Sequence, residues 1–404
     1  MKETSRLLVT LIIALFSINF AFAQSNGEAN EAVEEIKDQV SGIDERLLTV
    51  ESDLAKLKSI KISGYVQAQF QKFEQSVTPK STFSLRRARV KFTYEASEQA
   101  RFVVQPDFLP TGFSLKDAYL QVNNIGTKEL SLWVGQFNRP NYEVEYSSGQ
   151  RETPERSRLI RAIYPGERGI GMKFEYESQS IPLKAQLALL NGNFTGNQNA
   201  DVDNFKDIMA RVTYSVSMPS SGIGIDFGAH TYIGNVPANS TDLINSDYTV
   251  SSIEVGDGIS KTWFGGELQF YMDLLGGMAL KGEYITGTNA LNNNQQKDFM
   301  GYYFYLIKNI GISHQLVLKY DHYDPNTKLS GDDIGRIFNA IGGNSSSADL
   351  SYSTFTVAWQ YYWDDNIRIT LAYEMPTNEN TSNLSAYGKD VIDNTLTLRF
   401  QSRF

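Results

Sequence analysis

The 404-residue chain has no cysteine and three histidines, which excludes disulfide staples, thiol chemistry and cysteine-type zinc sites. His230, His314 and His322 are too scattered in the sequence for a metal centre or a catalytic triad. Asp321, Asp324, Asp332 and Asp333 lack calcium-loop spacing, and neither Gly222-x-Gly224 nor Gly342-Gly343 leads into a helical pattern with a lysine. No cofactor, metal or enzymatic reaction is expected. Positive charge is also in deficit, with 37 Lys and Arg against 46 Asp and Glu and a net charge of −9, which excludes nucleic acid as a partner. Beyond Leu7 to Phe22, no apolar run approaches the roughly 18 residues that a membrane helix needs.

Aromatic residues are plentiful, with 22 Tyr and 23 Phe, and they fall in alternating patterns. From Phe83 to Tyr94, the apolar Ala88, Val90, Phe92 and Tyr94 alternate with Arg87, Arg89 and Lys91. On a strand this gives one oily face and one carrying three cations. A membrane barrel satisfies both faces, because lumen charges are hydrated while an Arg or Lys facing mid-membrane lipid costs about 2–4 kcal/mol.

At the N-terminus, Lys2 and Arg6 precede the apolar run, and Ala21-Phe22-Ala23 ends it. That order predicts a signal peptide over 1–23, export, and a mature chain starting at Gln24. In the segment 24–58, Val33, Val40, Leu47 and Leu54 occupy heptad position a, and Ile36, Ile43, Val50 and Leu57 occupy d. The spacing predicts a periplasmic coiled-coil stem, and β-branched residues at d favour more than two strands, here a homotrimer.

From residue 59 to 404 the period becomes two. The expected fold is all-β, a 16-stranded antiparallel transmembrane β-barrel preceded by the N-terminal coiled-coil helix, in the outer membrane of a Gram-negative cell with lipid around it. Strands are expected at 60–74, 82–95, 98–108, 113–123, 128–137, 168–178, 181–191, 205–217, 221–234, 259–273, 276–287, 298–308, 312–323, 351–363, 366–376 and 391–403. Every second connection is short, whereas 138–167, 235–258 and 324–350 are long, which is the outer-membrane pattern of tight turns at one end and loops at the other. Outward faces are expected at Ile170, Met172, Phe174 and Tyr176, at Ile208, Ala210, Val212 and Tyr214, at Phe264, Gly266, Leu268 and Phe270, and at Ile367, Ile369, Leu371 and Tyr373. The complementary faces should line a wet corridor. The last strand ends on Phe404, a terminal aromatic that suits recognition by barrel-assembly machinery.

Arg86-Arg87-Ala88-Arg89, Gly135-Gln136-Phe137-x-x-Pro140 and Glu155-Arg156-Ser157, in that order, resemble the phosphate-selective porin O and P family over roughly residues 60–404. The resemblance implies a trimeric sixteen-stranded channel whose third extracellular loop, here 138–167, folds into the lumen. It implies a water-filled channel for small anionic or polar solutes, with phosphate among the candidates. The residues then expected to line the pore and guide anions are Arg87, Arg89, Lys91, Arg101, Arg139, Arg151, Arg156, Arg158 and Arg161. Two features depart from the family pattern: no lysine lies between Lys128 and Lys173, and Asp107, Asp117, Asp226, Glu267, Glu283 and Glu374 fall on lumen faces. The competing reading is a structural outer-membrane protein or surface adhesin carried on a periplasmic stem.

Overall fold

A computed structural model describes residues 46–47, 59–75, 78–140, 144–145, 147–192, 201, 203–273, 276–339 and 343–404. The chain divides into two units, Met1–Ile60 and Lys61–Phe404. In the first, Arg46 and Leu47 are helical and exposed. The leader over 1–23 and almost all of the stem over 24–58 lie outside the described residues.

The second unit is built on an eighteen-stranded sheet. Two of its strands, Asp242–Ile244 and Val250–Ser252, form a hairpin within a loop. The other sixteen, numbered here β1 to β16, form the wall. The first five are β1 Ile60–Phe73, β2 Ser81–Glu95, β3 Ala100–Leu109, β4 Gly112–Val122 and β5 Leu130–Asn138. Next come β6 Arg168–Glu177, β7 Leu183–Leu190, β8 Asp207–Met218 and β9 Ile223–Pro237. They are followed by β10 Gly258–Met272, β11 Met278–Leu291, β12 Gln295–Ile310 and β13 His314–Asp324. The last three are β14 Tyr352–Tyr362, β15 Ile367–Asn378 and β16 Thr395–Arg403. Each pairs antiparallel with its sequence neighbour, and β1 pairs with β16 from Tyr65↔Arg403 to Phe73↔Thr395. The sheet therefore closes and leaves no edge to template aggregation.

The outside is apolar. Phe92, Tyr94, Phe102, Val104, Met172, Phe174, Ile208, Val212, Leu371 and Phe400 are all exposed, with Phe264 at 61% and Leu268 at 54%. Such a belt is foreign to a soluble surface and matches a lipid-facing wall. At the short-turn end, the end that faces the periplasm in such barrels, His314, Trp359, Tyr361 and Trp363 form a run of ring contacts with centroids 5.1–6.2 Å apart. Aromatic girdles of this kind sit at headgroup depth, and His314 belongs to this one.

The strands expected from sequence are all found, with three local differences. Pairing of β11 with β12 continues up to Leu291↔Gln295, because the polar Asn289, Gln296 and Lys297 need no lipid contact above the membrane. The last strand begins at Thr395 rather than 391. On β2, the outward Phe83 and Leu85 are followed by Arg86 and Arg87, both bonded to lumen-side groups. The alternation slips by one residue there, as a bulge would produce.

Candidate functional site

The described residues of the loop, 139–140, 144–145 and 147–167, lie inside the barrel, and the motifs at the loop's ends explain how it enters. Between β3 and β4 the register shifts at Gln105/Pro106, with Pro106 paired to Leu115. Gln136 donates to the Leu115 and Lys116 carbonyls at 2.7 Å each and so satisfies the disrupted ladder. Gly135, at φ +127°, lies so close to β4 that a Cβ would fall 2.3 Å from the Ala118 carbonyl. Phe137 is fully buried beneath the loop.

The loop then carries a short helix, α1 Arg158–Ile163, capped by Ser157, whose hydroxyl accepts from the Ile160 N–H. Leu159, Ile160, Ile163 and Tyr164 are buried against Met209, Tyr232, Trp263, Ile285 and Phe299 of the wall. Trp263 stacks on Tyr232 at 4.0 Å and donates from Nε1 to the Tyr164 hydroxyl at 2.8 Å. Gly301 makes the approach possible, since a Cβ there would lie 2.8 Å from Leu159 Cδ1. The expectation of a wholly wet corridor is therefore corrected. Part of the lumen is a packed apolar cluster, because a helix crossing the barrel must bury its own oily face.

Charge fixes the loop elsewhere. Arg86 holds Glu155 with two parallel bonds of 3.2 and 3.1 Å, and Arg399 on β16 adds a third at 3.0 Å. Burial opposes ionisation of Glu155, but Arg86, then Arg151 and Arg399, override it and hold the carboxyl well below its ordinary range. Glu145 is fully buried; it accepts from the Ser157 N–H and hydroxyl and from Tyr305, and pairs with Lys319 at 3.0 Å. Burial pushes its pKa up, and Lys319 and Arg151 bring it below the usual value. Glu167, half-buried and contacted by Arg156 and Arg168, is held low in the same way.

The nine expected residues divide by role. Arg89 pairs with Asp107 at 2.8 Å and donates to Ser148 of the loop at 3.0 Å, while Arg87 donates to Gln67 at 3.1 Å. Arg156 bonds the Glu145 carbonyl at 2.8 Å and contacts Glu167. Arg151 donates to the carbonyls of Thr153 and Pro154. Arg139 donates to the Pro165 carbonyl at 2.8 Å, at the loop root. On α1, the Arg158 guanidinium lies 3.6 Å from the centre of the Tyr352 ring, and Arg161 is exposed. Lys91 on β2 and Arg101 on β3 make no ion pair among the described residues. The loop therefore brings Arg151 and Arg156 together with its acids, accepts a hydrogen bond from Arg89 at Ser148, and leaves Arg87 on Gln67 and Lys91 and Arg101 on the adjacent wall. Sequence reasoning missed Arg399, Arg368 and Lys319. Arg399 was detectable as the cation on the polar face of the last strand, between Thr397 and Gln401.

The model of the phosphate-selective porin O and P family matches residues 60–304. The chain belongs to this family. Family and fold are those of non-enzymatic channel proteins of the outer membrane. Among solved structures, this porin resembles the trimer form of OmpT, an outer-membrane protein of Vibrio cholerae, at 12% identity and TM-score 0.53, over 85% of this chain and 99% of that one. It also resembles an anion-selective porin from Comamonas acidovorans, at 12% identity and TM-score 0.55, over 86% and 99%. A third is OprB of Pseudomonas putida, at 10% identity and TM-score 0.57, over 86% and 94%. A comparison with curated protein sequences finds no match. In this porin all three motifs serve the loop: Arg86 grips Glu155, Arg89 grips Ser148, Arg156 and Ser157 brace the loop on Glu145 and cap α1, and Gln136 secures the strand that leads into it.

Proposed function

We propose that this chain is a passive outer-membrane channel for small polar solutes, with a preference for anions and with phosphate among those it passes. The observation that carries the reading is the loop held across a sixteen-stranded barrel, beside a wall where Arg87 and Arg368 bond only neutral groups while Glu374 is the acid left without an ion pair among the described residues. A narrow passage with low-dielectric walls focuses such an excess, so anions meet the lower barrier. Arg87, with Gln67 as its hydrogen-bond partner and no ion pair among the described residues, contributes net charge rather than a closed pair. The Comamonas porin, whose name records anion selectivity, supports the same class.

The working form is a homotrimer on a periplasmic coiled-coil stem at 24–58, released from a leader at 1–23. The heptad pattern supports this, and so does the trimeric V. cholerae porin. Reversal potentials of the purified protein in a planar bilayer under a KCl gradient test the selectivity. A sign favouring chloride is expected, reduced by Arg87→Gln; a sign favouring potassium overturns anion preference. Competition of phosphate with the chloride current tests phosphate, and cross-linking to trimers with an N-terminus at Gln24 tests the assembly.

A further inference from the structure

Beneath the inserted loop, on the side of β7 to β11, lies a cavity of about 330 Å³ bordered by Gln150 and Glu152 of the loop and by Thr213, Ser215 and Asp226 of the wall. A second cavity of about 410 Å³ shares Glu152, Tyr271 and Lys281 with the first and reaches Gly222, Asp273 and Gly277 in the short turns. Open space therefore runs from the underside of the loop to the periplasmic end of the barrel.

Almost every charge on the first cavity is answered where it stands. Arg211 is paired with Glu267, Lys281 with Glu152 at 2.6 Å, and Lys184 with Glu175 at 3.2 Å. Arg151 bonds the Thr153 and Pro154 carbonyls and faces the carboxylates of Glu145 and Glu155. The exception is Asp226, whose carboxylate makes neither an ion pair nor a hydrogen bond among the described residues. Its cross-strand neighbours are the neutral Ser215 on β8 and Gln269 on β10. Residues two apart on a strand share a face, so along β9 it stands between Gly224 and Gly228, which offer no side chain to cover it. One unanswered negative charge thus borders the passage, on the wall away from Arg87 and Arg368.

We propose that Asp226 is a specificity-determining residue of this channel: its carboxylate holds small cations in the passage beneath the loop and so limits the preference for anions. A fixed charge acts most strongly where low-dielectric walls confine the water beside it, and paired neighbours contribute little net field there. The proposal rests on the channel reading. It deepens that reading by naming the residue that decides how far cations share the path.

The chain has no cysteine, so Asp226→Cys introduces a single thiol, and the purified variant is studied in planar bilayers under a KCl gradient. The chloride-to-potassium permeability ratio is expected to rise at least twofold over that of the unaltered protein. A thiol reagent that attaches a sulfonate should return the ratio to its original value, and one that attaches a trimethylammonium should raise it at least twofold further. Asp226→Asn, close to Asp in shape, should match the unmodified cysteine variant, and migration as unheated barrels checks that both fold. Asp257→Asn, an exposed acid between β9 and β10, makes the same change in net charge and should leave the ratio where it was. A ratio that neither Asp226 variant nor either reagent moves, or that Asp257→Asn moves as far, overturns the proposal. The sign of selectivity in the unaltered protein tests the anion reading, whereas the change at position 226 tests this one, so the two fail separately. Absence of any conductance overturns both.

Discussion

Along β16, β1 and β2, Arg86, Arg89 and Arg399 each end on a carboxylate or on the inserted loop; across the lumen, β8 to β11 meet the same loop through the apolar Met209, Tyr232, Trp263 and Ile285 and through the ion pair of Lys281 with Glu152, and Asp226 beside a cavity has no ion pair among the described residues. Both regions obey the same alternation, and strand patterning does not tell them apart. What separates them is where the loop rests. On the first side it replaces water with carbonyls and carboxylates, turning lumen cations into fasteners. On the second it lays the oily face of α1 against apolar wall residues and leaves a cavity beside Asp226. Arginine on an inner wall is therefore no measure of pore charge until the loop's contacts are known.

The comparison can be broken most severely at Glu145. In Glu145→Ala, Lys319 loses its buried partner and the Ser157 N–H its acceptor, a change worth roughly 3–5 kcal/mol for a buried ion pair cut on one side. The barrel itself should persist while the loop loosens, read as larger and noisier single-channel conductance and as protease cleavage at Arg151 or Arg156. An unchanged, quiet conductance would show that the loop is not fastened through this residue and its partners Tyr305 and Lys319. Leu159→Ala attacks the apolar contact of α1 with the other side, at roughly 2–5 kcal/mol of cavity cost. It should raise conductance with little effect on ion selectivity, because no charge is removed; a shift in reversal potential matching the conductance change would contradict this division of roles.

Acid gives a gentler test. Glu145, Glu155 and Glu167 all have folded pKa values held below their unfolded value of about 4.3. Groups of that kind contribute in full above the unfolded value, and the contribution is lost as pH falls through the folded one. Channel noise should therefore stay flat from neutral pH down to about pH 5 and rise only below about pH 4. A rise between pH 6 and 7 would place control of the loop in another group. Together the three measurements say how charge and apolar contact share the holding of the loop.

Much of the wall was legible in advance because period-two alternation is local. Ile208, Val212, Phe264, Leu268 and Leu371 could be assigned to lipid from their own neighbours, and the tight turns from their length. The candidate site was legible only as a set of residue types. Arg89 reads identically in sequence whether it faces water or pairs with Asp107, and only the register of β2 on β3 puts those two opposite each other. Gln136 and Gly135 looked like a family mark, yet each answers to a backbone irregularity on a neighbouring strand. The apolar lumen cluster escaped because Leu159, Ile160 and Ile163 sit in a stretch dense with charge, where the oily face of α1 is a single turn long.

The sequence alone determined that this chain makes a barrel, which side chains meet lipid, and which loop is long enough to enter the lumen, since each follows from spacing within a few residues. Tertiary structure decided which lumen charges are consumed and which stay open to solute. Several of those pairings join residues far apart in the chain, such as Glu155 with Arg86, 69 positions away, and with Arg399, 244 positions away. Coulomb energy depends on the distance that the closed wall and the seated loop impose, and no local pattern encodes that distance.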